Sequence, residues 1–171
     1  EKLLESVDRD LNLENTTLTA PTITGALAVT MIKNVVDLDG ATAAPTVAQS
    51  GTIFTFDGSA CTVTLPTCAV GLEYTFLVKT TVSGASIITT ATNDKLYGTV
   101  LRAIDGLSAT HADDGTQTDS NTGTNDNTYT MNGTTKGGII GTRIHVIGMK
   151  ALTWYITGTS IGSGDQITCF S

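Results

Sequence analysis

The chain has 171 residues, with 9 Lys+Arg against 16 Asp+Glu, a formal net charge of −7 and only 15% charged residues. That length fits one domain with at most a short appendage, and it can bury a core without staples. The shortage of cations excludes a surface built to neutralise nucleic-acid phosphates, and no apolar run is long enough to span a membrane.

Thirty-four threonines, one residue in five, beside 18 glycines argue for an all-β protein. Threonine is β-branched, fits a pleated half-buried surface and forms helices poorly. In chain order, residues 1–50 contain no Phe, Tyr or Trp, whereas all nine aromatics fall between Phe54 and Phe170. Large rings dominate core energetics, so the packed domain is expected over 51–171 and an N-terminal arm over 1–50. Within the arm, Leu3, Leu4, Val7 and Leu11 share one helical face, giving a short amphipathic helix. LTAPTITG (18–25), echoed by AAPTVA (43–48), then reads as extended and edge-like, because proline removes a donor and holds its predecessor extended. An arm with apolar teeth and no aromatic core cannot fold alone.

From residue 51 the apolar residues alternate. Cys61, Val63 and Leu65 share a face opposite Thr62 and Thr64, and Tyr74, Phe76 and Val78 oppose Glu73, Thr75 and Lys79. Further strands are expected near 86–90, 96–104, 127–131, 139–148, 152–157 and 166–170. Asp57-Gly58, Asp105-Gly106, Asp114-Gly115 and Asn132-Gly133 punctuate them as hairpin turns. About nine short strands spaced this way predict an antiparallel sandwich or jelly-roll-like domain.

Residues 110–127, THADDGTQTDSNTGTNDN, form a long polar interruption, and no Lys or Arg occurs between Arg102 and Lys136. It reads as an exposed acidic loop carrying Asp113, Asp114, Asp119 and Asp126. These aspartates lack the spacing of a calcium loop, so a solvated projection is the expectation.

Three cysteines are an odd count. Cys61 and Cys68 are seven residues apart, about 23 Å in an extended strand, far beyond disulfide reach. They read as small buried thiols in a chain made in a reducing cytoplasm, and no basic-then-apolar leader of the secretory kind is present.

Chemistry is sparse. Gly158-Thr-Ser160-Ile-Gly162 matches the nucleophile-elbow pattern, but an elbow needs a helix after it and an acid and a histidine further on. Here only eleven residues follow Ser160, and both His111 and His145 precede it, so a Gly-rich hairpin loop is expected. His145, between Ile144 and Val146, faces away from its apolar neighbours as a surface or interface residue. Gly137, Gly138 and Gly141 precede no helix that offers its N-terminus to a phosphate. No catalytic residues, metal site or cofactor site are assigned, and a non-enzymatic protein is expected.

Three stretches, VTLPTCAVGLEYTFLVKT (63–80), TNDKLYGTV (92–100) and TKGGIIGTRIHVIGMKALTWYITG (135–158), together resemble a pattern of tailed-phage virion proteins. In that pattern an "LP…GL.Y.F" segment is followed by a "D.I.G" strand and a "G..I.L…W.V.G" hairpin. The resemblance covers roughly 51–171, and the LTAPTITG arm is similar to N-terminal segments of phage decoration and fibre proteins. It implies a β-rich homotrimeric capsid decoration (cement) protein, on the outer surface of the virion's capsid, that clamps neighbouring major capsid subunits. Neither nucleic acid nor membrane is an expected partner. The arm would order on the shell, burying Leu11, Leu13, Leu18 and Ile23 beside Pro21, by strand addition to a capsid edge, and the 110–127 loop would face outward. Two alternatives are a trimeric tail-fibre or spike domain that recognises a host surface, and a carbohydrate-binding module. The module would need an exposed aromatic platform, for which only Trp154 and Tyr155 are adjacent.

Overall fold

A computed structural model describes residues 33–104, 117–121, 126–164 and 167–171. Among them the chain is all-β, with eleven strands in two mixed sheets and a single 3-10 turn, Val47–Gln49. The strands are β1 (Val35–Leu38), β2 (Thr42–Ala43), β3 (Ile53–Phe56), β4 (Thr62–Thr64), β5 (Glu73–Val78) and β6 (Ser86–Thr89). They continue with β7 (Lys95–Ile104), β8 (Gln117–Asn121), β9 (Thr128–Met131), β10 (Arg143–Lys150) and β11 (Thr153–Gly162). The seven-stranded sheet has the order β1-β3-β5-β10-β11-β7-β8, and the four-stranded sheet the order β2-β4-β6-β9.

The first six strands wind as a coil. β1, β3 and β5 lie side by side and parallel in one sheet, with β2, β4 and β6 side by side and parallel in the other. Each parallel neighbour is therefore reached through a strand of the opposite sheet, which supplies the crossover that parallel pairing demands. Val35, Ile53 and Thr75 stand in register, 18 and 22 residues apart. Asp57-Gly58 does not close a hairpin; with Gly58 at φ +109°, the chain there leaves β3 for β4 in the other sheet. The β10–β11 hairpin then fills the space between β5 and β7, antiparallel to β5 on one side, with β11 parallel to β7 on the other.

These pairings correct several expectations. The expected antiparallel or jelly-roll pattern gives way to mixed sheets, with five parallel and four antiparallel strand pairs among the described residues. Side-chain alternation reveals a strand but not its neighbour, so periodicity could not distinguish the two. The boundary expected at residue 50 falls earlier. β1, β2 and the Val47–Gln49 turn belong to the sheets, and residues 32–171 form one compact unit. The Tyr74 hydroxyl donates to the Thr46 carbonyl (2.9 Å), and buried Leu38 joins the core. The strand expected over 166–170 is replaced by a short segment that bridges β9 through Tyr129 and Phe170.

A single core cluster draws side chains from both sheets. Phe54, Phe56, Tyr74, Phe76, Ile144, Val146, Trp154 and Ile156 come from the larger sheet, and Val63, Ile88, Tyr129 and Met131 from the smaller. Phe54 stacks on Phe76 at 5.7 Å, and Tyr74 is tilted against Trp154 at 5.8 Å, both within the range of favourable ring pairs.

Candidate functional site

The residues expected to bind a capsid, Leu11, Leu13, Leu18, Pro21 and Ile23, lie outside the described residues, as do Asp113, Asp114 and His111. Asp119 is where the structure departs most from expectation. Residues 117–121 are not loop; they form β8, the edge strand beside β7. Val100, opposite Asp119, points inward, so Asp119 does as well, and its side chain is only 11% exposed. It accepts a hydrogen bond from the Cys169 backbone N–H (2.6 Å), another from Thr168 Oγ1 (3.2 Å), and lies 3.8 Å from Arg102. Asp119 is thus a structural anion, not part of an exposed projection. Asp126 is half-buried, and its carbonyl accepts from the Leu96 N–H.

The Gly158–Gly162 stretch lies inside β11, and its Ser160 is fully buried, so it is neither an elbow nor the hairpin loop expected. Cys61, Cys68 and Cys169 are all free and buried. Burial pushes each thiol above its ordinary range, that of Cys169 up to about 11, which leaves them as uncharged thiols near neutrality. Burial likewise raises the Tyr129 phenol above its ordinary value. Among the described residues, no three His, Cys, Asp or Glu side chains converge as metal ligands would, and no helix is long and apolar enough to cross a membrane.

What remains is a surface, the outer face of the seven-stranded sheet. Alternation aims Tyr74, Phe76, Ile144 and Val146 inward and Glu73, Thr75, Leu77, Arg143 and His145 outward. One in-register row runs Ile53, Thr75, His145, Thr157, Thr99 and Ser120. A parallel row runs Asp37, Thr55, Leu77, Arg143, Thr159 and Leu101. In the centre, the Thr75 hydroxyl and His145 Nδ1 share a hydrogen bond (3.2 Å), and His145 Nε2 lies 3.9 Å from Glu73 Oε2. Glu73 also faces Lys33 at 3.9 Å. Burial pushes the His145 imidazole below its usual value; Glu73 opposes this, while Arg143 and Lys33 add to it. On the β1 side, Asp37 is held below the usual carboxylate range by hydrogen bonds from Lys79 (2.6 Å) and from the Thr55 hydroxyl.

No family model, curated protein or solved structure matches the chain. Its sequence indicated that His145 faces outward but not its neighbours, because Glu73, Thr75, Arg143 and Thr157 meet only through the order β5-β10-β11. The alternation of Arg143, His145 and Ile147 opposite Ile144 and Val146 was the legible part of the signal.

Proposed function

We propose that this protein is a structural component of a virion. It is a capsid decoration protein that binds as a homotrimer to the outside of the head and holds neighbouring major capsid subunits together. The role is non-enzymatic and requires neither cofactor, nucleic acid nor membrane. The observation that carries the reading is the broad outer sheet face, where threonine, tyrosine and aliphatic side chains take most positions and few charges intervene. Such a surface is suited to being covered by protein. The virion-like segments quoted above fall largely on β4, β5, β7, β10 and β11, the strands that build this face and the core behind it.

A cement protein needs many weak contacts. Once one subunit of a trimer has bound, the others bind intramolecularly, and avidity multiplies modest affinities. The arm at 1–25 is assigned the capsid contact. Deleting it should leave a folded domain that no longer decorates heads; full decoration by the truncated protein would reject that assignment.

One observation favours the second reading, a trimeric tail-fibre or spike domain. The coil of β1 to β6 adds parallel strands turn by turn, a geometry that extends naturally along an axis. Copy number separates the two. Densitometry of purified particles should give hundreds of copies, in fixed ratio to the major capsid protein, for cement. A few tens would mean a fibre, and absence from particles would reject both.

A further inference from the structure

The coil of β1 to β6 has an open end. β1 and β2 are the end strands of their sheets, and their outer edges pair with no described residue. Between them lies a recess of about 220 Å³, lined on its apolar side by Val36, Leu38, Ala43, Pro45 and Phe54. Ala43 packs against the core but stays partly exposed, whereas Val63, its partner on β4, is fully sealed. Open edges invite pairing, and native proteins cover them.

The sequence names a segment that fits this end. β4 and the three residues after it read TVTLPT (62–67), with Val63 and Leu65 buried and Thr62 and Thr64 turned the other way. The arm contains TLTAPT (17–22), identical at four of these six positions, with Leu18 and Ala20 where β4 has Val63 and Leu65. β2 opens TAAPT (42–46), the same pattern one residue shorter before its proline.

The spacing is also that of the coil. Thr42 and its partner Thr62 are 20 residues apart, and Thr62 and its partner Ile87 are 25 apart. Thr17 precedes Thr42 by 25. Fifteen residues separate Thr19 from Val35, ample for a crossing between sheets about 10 Å apart. The arm joins the domain at β1, at this same open end.

We propose that residues 17–22 of the chain's own arm form one more strand of the coil, parallel to β2 on its free edge, with Leu18 and Ala20 seated in the recess. Strand addition of this kind supplies main-chain hydrogen bonds, and pockets for alternate side chains give it specificity. The row Ala43, Val63 gains Leu18, and the row Thr42, Thr62 gains Thr17. The inference goes beyond the function proposed above and narrows it. Residues 17–22 are held by the domain, which leaves Leu11 and Leu13 for the capsid contact.

Thr17→Cys combined with Thr42→Cys, in the full chain, tests it. Paired residues on adjacent strands stand about 4.8 Å apart, within disulfide reach, and the three native thiols are buried. Mild oxidation should close a bond within one chain, identified by peptide mass spectrometry of the monomer band. Thr17→Cys with Thr130→Cys, on the opposite edge strand of the same sheet, should close none. Hydrogen exchange gives a second readout. Amides of 17–22 and 42–44 should be protected, and Leu18→Asp should speed their exchange about tenfold or more, while Leu11→Asp leaves it unchanged. Unprotected amides at 17–22 in the wild-type chain overturn the proposal. So does a cross-link found only between chains, which would make the occupant a second copy's arm. Should the cysteine variants misfold, exchange of the wild type decides by the same criterion. Both readouts use purified chain without particles, so their failure leaves the virion reading standing. Absence of the chain from particles would remove that reading without touching this strand.

Discussion

Arg102 and Asp119 form an ion pair at 3.8 Å inside the fold, with side chains only 3% and 11% exposed. Arg102 also donates to the carbonyls of Ile167 and Thr135, each at 2.5 Å, while Asp119 takes the Cys169 N–H. The pair therefore ties β7, β8, the 134–137 turn and the C-terminal segment together. Removing one partner of a buried pair leaves an uncompensated charge and costs about 3–5 kcal/mol. Asp119→Ala should lower the urea stability by about that amount. Lys79→Ala, which breaks the exposed pair with Asp37, should change it little, because solvent screens such pairs. Equal effects of the two changes would contradict this account.

Gly98 faces the Ile156 carbonyl so closely that a Cβ there would lie 1.9 Å from the oxygen, at φ +139°. β7 and β11 are parallel across this point, with Gly98 paired to Ile156. A side chain must push the strands apart and also adopt a backbone conformation that suits glycine. Overpacking costs about 1–3 kcal/mol and the backbone strain about 1–3 more. Gly98→Ala should thus lose about 2–6 kcal/mol or yield insoluble protein, whereas Gly71→Ala, with open space around its Cβ position, should meet only the backbone penalty. Comparable melting temperatures for the two variants would argue against close approach at Gly98.

Much of this architecture was legible strand by strand. The alternations in 61–65 and 73–79 placed Val63, Tyr74, Phe76 and Val78 inward, as the core has them. What could not be read was pairing. A strand that crosses to the other sheet after Asp57-Gly58 has the same local sequence as one that turns back, so the coil was hidden. β1 escaped because VVDL does not alternate cleanly, and β8 because QTDSN is wholly polar. Edge strands need only one covered side, and Asp119 is stabilised by Arg102 instead of by apolar burial. The outer face was hidden for the same reason as the coil, since its rows run across strands distant in sequence.

The cysteines offer a direct probe of the core. Cys61, Cys68 and Cys169 are 1%, 6% and 0% exposed, with thiols raised by burial. Cys68 Sγ also lies 3.1 Å from the Thr153 carbonyl, where it donates a weak bond into the β10–β11 turn. A thiol reagent at neutral pH should titrate no cysteine in the folded protein and three after denaturation, with labelling of the native state following the opening rate. Rapid labelling of any one thiol would show that its part of the core is open.

His145 should make stability depend on pH with a definite sign. Its folded-state value lies below the ordinary 6.5, chiefly through burial, helped by Arg143 and Lys33 and opposed by Glu73. The unfolded chain then binds more protons than the folded one just below 6.5. Stability rises with pH wherever the unfolded state binds more protons. The contribution of the neutral imidazole is therefore complete above the unfolded value and is lost as pH falls through 6.5 toward the folded one. His145→Gln keeps a polar partner for Thr75 and cannot titrate, so its urea midpoint should fall less than that of wild type between about pH 7 and about pH 5. Glu73→Gln removes the one nearby charge that favours the imidazolium, which lowers the folded value further. The loss in that variant should begin over the same range and continue to more acid pH. Parallel pH profiles for wild type and His145→Gln would mean that the imidazole titrates alike in both states and that the burial of His145 has no energetic consequence.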